Sequence, residues 1–395
     1  MMELLLTALF FISSSLIIYH HVGYPVLLSW YSKHHPLKAI KHASRGYRPV
    51  TSDQDCASIT ILVPAYNEEQ WIADKIRNLS SLDYPKNRYN VIIACDGCTD
   101  NTALIAEQTI QEAICADTHF EIRVFNENRG KVAVVNQQMS TISTDITALS
   151  DVSALISIDA LWLADRHFHD CQVGVVNGHY QLFNHDNEGE NRYWQYQSRV
   201  KMHEASLGST LGAHGAFYLF RTRLFKNMGT DTINDDFITP MEIVRQGYLA
   251  KYEPRMVALE MEATNQQNDY HRRLRISAGN MQQAILLADM FMPRYRGVAF
   301  AFASGKGLRL LTPYLLILCL VSSILLMNNP LFMAALTGQI ALYSLALLSY
   351  FLPYIFSHKV CKLVLYIVAG HCANFIGGLR YLLGLESGKW SRVDQ

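Results

Sequence analysis

Three carboxylates in this chain each stand just behind an apolar run. Glu68 follows ITILVPAY (59–66), Asp96 follows VIIAC (91–95) and Asp151 follows ITALS (146–150). If those runs are strands of one parallel sheet, all three acids reach its C-terminal rim, where open α/β sheets bind their ligands. An acid placed there can accept hydrogen bonds from a base or a ribose. Another can hold a divalent cation against a diphosphate. Any one of them alone reads equally well as an Asx-turn or a helix cap. Their recurrence at one position is what points to a shared site. The sequence has no Walker-type Gly-rich loop and no GxGxxG after a strand, so NTPase and dinucleotide readings are weak.

The elements needed to position these acids follow a regular order. Residues 59–66 read as a buried strand. Asn67 is expected to cap the next helix, with Glu68 and Glu69 in its first turn. Trp71, Ile72, Ile76 and Leu79 give that helix an apolar face. Strands are then expected at 91–95, 120–125 and 146–150, with a helix after Asp100 and another over 131–139. Repeated β–α units imply an α/β fold with a mainly parallel sheet and helices on both faces. HDNEGENR (185–192) reads as an exposed loop.

Composition sets the surroundings. The 395 residues are 50% apolar and 17% charged, below the roughly 25% charge of soluble domains. The deficit lies in two apolar blocks, one at each end. Residues 1–31 contain enough apolar chain for one membrane helix, and the MME start without a cleavage-type site favours a retained anchor over a signal peptide. Residues 310–384 hold about three more crossings, near 310–327, 331–356 and 360–384. Between the blocks, 32–57 is a basic linker, 58–276 the polar domain, 277–309 a stretch of interfacial amphipathic helices and 385–395 a tail. The linker lysines and arginines and the basic turn at 358–362 favour a cytoplasmic middle domain. Lys plus Arg and Asp plus Glu are 34 each, a balance that disfavours a nucleic-acid partner. Cys95 and Cys98 form a CxxC without a second pair at zinc-ligand spacing. The eight cysteines are therefore expected as packing residues in a reducing compartment.

In order along the chain come VPAYNEE (63–69), DGCTDNT (96–102), NRGKVAVVN (128–136), SDVSALI (150–156), GHY (178–180), GAHGAFYLFRTRLF (212–225), NDDF (234–237) and RRLRI (272–276). This set resembles the family 2 glycosyltransferases, inverting enzymes with the GT-A (Rossmann-like) nucleotide-sugar fold, over about residues 58–280. The C-terminal membrane block is similar to that of bacterial members that build surface polysaccharides. The resemblance implies a nucleotide-sugar donor, a UDP-sugar first, and a lipid-linked or glycan acceptor. It also implies contact with membrane lipids and with other polysaccharide-assembly proteins, and a location in the bacterial inner membrane. It makes Asp96 the acid that reads the base, beside Glu68 and the Ala65 backbone. Lys131 becomes a nucleotide contact, and Asp151 the metal ligand for Mg2+ or Mn2+. Asp236 becomes the general base, with Asp235 next to it, and Arg272 and Arg275 cover the diphosphate. Lys131 also reads as an ordinary helix-start lysine, and the two arginines as anchors to lipid phosphates. His203, Glu204 and His214 are polar candidates for the acceptor side or packing groups.

The chain departs from the family pattern in two places. The metal motif reads Asp151-Val152-Ser153, with a serine where the second acid would be. The segment 272–276 lacks the Gln and Trp of processive synthases, which argues against long processive synthesis. Two rivals stand beside the transferase reading. One is a sugar transferase onto a polyprenyl phosphate, which needs no general base. The other is a non-catalytic subunit of a polysaccharide assembly or export complex.

Overall fold

The computed structural model describes residues 1–37, 55–183, 188–262 and 266–386. The expected linker 32–57 and tail 385–395 fall largely outside these residues. The chain divides into two compact units, one made of Met1–Lys33 with Gln266–Glu386 and one within His34–Asn265.

In the apolar unit, α1 (Met2–Ile18) runs through a widened π turn (Tyr19–Gly23) into α2 (Tyr24–His34). The polar unit opens with β1 (Ile59–Ala65), α3 (Ile72–Ser80), β2 (Tyr89–Asp96), α4 (Thr102–Thr109), β3 (His119–Phe125), α5 (Lys131–Met139) and β4 (Ile146–Ser150). It continues with β5 (Ala154–Ile156), α6 (Ala160–Phe168), β6 (Val173–Leu182), α7 (Glu188–Glu204), β7 (Phe217–Arg221), α8 (Asp235–Arg245) and β8 (Leu249–Glu260). The apolar unit then resumes with α9 (Gln266–Leu286), α10 (Gly297–Ala301), a second π turn (Phe302–Gly307), α11 (Leu308–Leu325), α12 (Pro330–Phe351) and α13 (Lys359–Leu382).

The eight strands form one sheet in the order β3-β2-β1-β4-β7-β6-β8-β5. Every residue of β1 is buried, because helices cover both faces of a central parallel strand and only an unbroken apolar run survives there. β1 pairs in parallel with both β2 and β4. The chain winds one way from β1 to β2 and β3 and returns to the other side for β4, so the crevice at the C-terminal ends of β1 and β4 is the switch point of the sheet. β7 then pairs antiparallel with β4, Ser150 opposite Phe217. That reversal brings the loop feeding β7 to the same rim that carries Asp151. The expected α/β sheet is present. Its first four strands in spatial order are parallel, and the other half is mixed.

Two local expectations need correction. Asn67 does not cap a helix. It has φ 54° and its Oδ1 accepts from Thr99 N at 2.8 Å, while α3 begins at Ile72 behind Trp71. The Asn67 amide instead ties the two rim loops together, donating to Thr99 Oγ1 at 3.0 Å as well. Residues 188–192, expected in a loop, open α7. Residues 185–187 lie outside the described residues.

Four helices are long and apolar enough to cross a membrane: Met2–His34, Gly297–Leu325, Pro330–Phe351 and Lys359–Leu382. The first is continuous through the π turn. The second starts well before 310, within the segment expected to hold interfacial helices. Their outer faces expose large apolar side chains such as Ile18, Leu347 and Tyr350, a pattern suited to lipid rather than water.

Candidate active site

The site is assembled from two adjoining parts of the rim. The first is built on Asp96, fully buried at the end of β2. Its Oδ2 accepts from the backbone N–H of Arg129 at 2.9 Å and of Gly130 at 2.8 Å, and the Arg129 Nε stands 3.5 Å from Oδ1. Close approach of the two loops requires Gly97, which has φ +64° and whose hypothetical Cβ would lie 2.3 Å from Asn128 N. Ala65 ends the neighbouring strand and is buried. Glu68 donates its backbone N–H to Thr102 Oγ1 at 2.7 Å, which fixes the loop beside Asp96.

The second part gathers charges. Lys131, the first residue of α5, directs its ammonium to Asp151 Oδ1 at 2.9 Å and to Asp235 Oδ2 at 3.3 Å. Asp235 and Asp236 form the first turn of α8, where the helix dipole favours carboxylates. Their side chains take different partners, as neighbours on a helix must: Asp236 Oδ2 accepts from Gly215 N at 3.1 Å. A Cβ on Gly215 would lie 3.2 Å from Asp151 Oδ2 and 3.6 Å from Asp236 Oδ2. Gly215 thus stands at both carboxylates, and any side chain there would crowd them.

The electrostatics follow from this crowding. Burial pushes the Asp236 carboxyl up to about 6, and Asp235 and Asp151 push the same way against Lys131 and Lys201. For Lys131, burial lowers the amine, but Asp151, Asp235 and Asp236 outweigh it and hold it well above its ordinary value. Asp235 Oδ2 is buried and receives no hydrogen bond among the described residues. A buried carboxylate oxygen short of donors, facing a cationic nitrogen it shares with Asp151, is the environment a divalent cation fits. Among the described residues no set of three His, Cys, Asp or Glu could hold a metal unaided, so further ligands would have to come from a diphosphate and water.

Lys75 was not among the residues expected here. It is fully buried and its Nζ donates to Ser150 Oγ at 2.6 Å and to the Ala154 carbonyl, on either side of Asp151. Its signal was available in the sequence: a lysine at an apolar-face position of α3, between Ile72 and Ile76. His214 stacks on Tyr180 with ring centroids 3.7 Å apart. Arg272 and Arg275 lie on α9 in the apolar unit. All eight cysteines are free thiols.

A switch-point crevice lined by acids and one lysine, with no phosphate loop, is the arrangement of a GT-A sheet. The solved mannosyltransferase PcManGT from Pyrobaculum calidifontis, in complex with GDP-Man and Mn2+, shares this fold: TM-score 0.67, 22% identity, covering 93% of this chain and 99% of that one. The family model described as glycosyltransferase like family 2 matches residues 57–279, and the chain belongs to that family. Poly-beta-1,6-N-acetyl-D-glucosamine synthase of Staphylococcus aureus (strain COL) is 27% identical over 252 residues, 62% of this chain and 59% of that protein. The Staphylococcus epidermidis protein of the same name is 24% identical over 320 residues, 78% of this chain and 75% of its own length. The chain thus spans about three fifths of the Staphylococcus aureus relatives it matches.

Proposed function

We propose that this chain is a membrane-bound hexosyltransferase that moves a sugar from a UDP-sugar, with inversion, to a lipid-linked or polysaccharide acceptor in cell-surface glycan synthesis. The observation that carries the reading is the convergence of Lys131, Asp151, Asp235 and Asp236 at one rim, beside an acid already fitted with backbone donors. In this reading Asp96 and the Ala65 and Glu68 loop receive the base and ribose. Asp236 takes the proton from the acceptor hydroxyl, whose oxygen attacks the anomeric carbon opposite the departing diphosphate; one displacement with one base inverts that centre. Lys131 meets the diphosphate charge. Asp151 and Asp235 would hold a divalent cation, Mg2+ or Mn2+, which when bound neutralises the leaving group. The resemblance alone supports a role for Arg272 and Arg275 over the diphosphate.

The names of the Staphylococcus relatives support UDP-N-acetylglucosamine as the first donor to test. The basic residues after α2 and at 358–362 support a cytoplasmic catalytic unit, where nucleotide sugars are made, in a bacterial inner membrane. Membranes containing the protein should release nucleoside diphosphate from one member of a panel of UDP-N-acetylglucosamine, UDP-glucose, UDP-galactose and GDP-mannose. No release above that of membranes lacking the protein, for every donor, would sink the transferase reading and leave the non-catalytic subunit.

A further inference from the structure

The apolar unit contains a polar cluster that the transfer reaction does not use. The π turn in the first helix and the π turn before α11 face each other: the Tyr19 and Ser304 hydroxyls are 3.0 Å apart, and His20 Nδ1 donates to the Ser304 carbonyl at 2.9 Å. Widened turns of this kind interrupt helices most often where function needs them. Beyond His20 the rings continue, His20 to His21 at 4.8 Å and His21 to His371 on α13 at 5.3 Å between centroids. Arg309, two residues after the second π turn, is near enough to act electrostatically on all three imidazoles. Its backbone carbonyl is held by Asn374 Nδ2 at 2.7 Å.

What the cluster lacks is an acid. Among the described residues no carboxylate pairs with Arg309, His21 or His371. An arginine in an apolar helix is costly, and such residues mark ligand sites or pathways. The level of the cluster narrows the ligand. α1 has 17 residues, a rise of about 25 Å. α11 runs antiparallel to it, with Cys319 Sγ near Phe10 O, and Arg309 lies 16 residues before Leu325, about 24 Å along. With the end where Met2 and Leu325 lie set at one membrane face, both helices place the cluster about one hydrocarbon thickness away, at headgroup depth on the other side.

We infer that Arg309, His21 and His371 bind the phosphate of a membrane lipid, the guanidinium supplying a two-pronged contact to its oxygens and the imidazoles further N–H donors. The inference rests on the membrane reading of the unit and not on the transfer reaction, so it is tested without donor. Two lipids carry this chemistry, an anionic phospholipid and a polyprenyl phosphate. The full chain in phosphatidylcholine nanodiscs is titrated with phosphatidylglycerol, with a polyprenyl monophosphate and with inorganic phosphate, and bound lipid is counted by native mass spectrometry.

The expected result is saturable binding of one phosphate lipid, weakened about tenfold or more by Arg309→Gln and by His371→Gln and largely restored in Arg309→Lys. Preference for phosphatidylglycerol makes the site one for a resident lipid. Preference for the polyprenyl phosphate makes it a holding site for a lipid-linked substrate. Equal binding by wild type and both glutamine variants overturns the site, and binding of inorganic phosphate without any lipid preference overturns the lipid assignment. If Arg309→Gln does not fold, His371→Gln against wild type still decides.

Discussion

Asp96 and Asp236 are two carboxylates at one sheet rim, and their surroundings differ in kind. Asp96 is fully buried, yet two backbone N–H groups and a guanidinium face it. Asp236 is largely buried, with one backbone N–H and two like charges beside it. Burial pushes the Asp236 carboxyl up, and its like-charged neighbours add to that push. The two carboxylates also differ in the donors around them. The first arrangement is finished before any ligand arrives and suits a rigid recognition surface. The second is held short of donors, and that deficit suits a group that must accept a proton or share a cation.

The sharpest break between the two comes from removing each charge. Asp236→Asn should cost roughly 10²–10⁴-fold in transfer, the usual effect of losing a general base, while UDP affinity stays nearly unchanged. Its melting temperature should not fall. A carboxyl raised to about 6 contributes stability below its unfolded value near 3.8 and loses it as pH rises through 6, so at pH 7 the wild type carries the penalty that Asn removes. The wild-type rate should drop as pH falls below about 6, where the base becomes protonated. A rate profile flat to pH 5, or near-normal transfer by Asp236→Asn, would favour an acceptor that is already an anion, as in the polyprenyl-phosphate reading.

Asp96→Asn should show the opposite pattern. Charge-assisted hydrogen bonds contribute about 1.5–3 kcal/mol each, so loss of this carboxylate and the loop it orders should weaken UDP binding roughly 10–100-fold. Calorimetric titration with UDP checks it. Unchanged UDP affinity with lost turnover would put Asp96 on the wrong side of the site. Lys131→Gln probes the deficit from the cation side. The lysine now neutralises Asp151 and Asp235, so without it Mn2+ should bind the donor-free protein about threefold or more tightly, while turnover falls because the diphosphate loses its amine. Mn2+ titration without nucleotide reads the first effect directly, and weaker metal binding would show that the acids do not face a shared cation position.

The two regions were also unequally legible. β4 and α5 fall on the expected residues, and β1 to β3 differ from expectation by a residue or two at their ends. Buried parallel strands are continuous apolar runs, which sequence shows plainly. The later half, from β5 to β8, carried no such signal. Its strands alternate direction, and β6 contains shifts of register. Asp96 and Asp151 stood out because each ends or follows a strand, whereas Asp235 and Asp236, which open α8, came only from the resemblance. The lysine bridge from α5 to α8 was not legible, since it joins residues about a hundred positions apart through a fold whose closing half could not be read. Asn67 misled because a residue that can cap a helix can equally stitch two loops, and only tertiary pairing with Thr99 decides which.

The smallest effect belongs to Lys75, and it tests whether the rim is supported from beneath. Its amine donates to Ser150 and Ala154, the residues that bracket Asp151 at one and three positions. Burial pulls it down to about 7, with Asp151 and Glu260 pulling it back up. Lys75→Met keeps most of the volume and removes the donors. Ser150 Oγ retains the Ala216 carbonyl at 2.9 Å, while the Ala154 carbonyl loses a partner, worth about 1–3 kcal/mol. Against that loss stands the relief of burying a cation, so the net change in stability should be small and transfer should fall only about three- to tenfold, through looser placement of Asp151. The pH dependence separates this from ordinary repacking. Between about 7 and 10.5 the unfolded lysine binds a proton that the folded one does not, so wild-type stability rises with pH across that window. Methionine has no such dependence. The melting temperature of Lys75→Met relative to wild type should therefore be most favourable at pH 7 and decline steadily toward pH 10. A difference that stays constant over that range would mean that the Lys75 amine is not held in an apolar setting, and that Asp151 is positioned by the backbone alone.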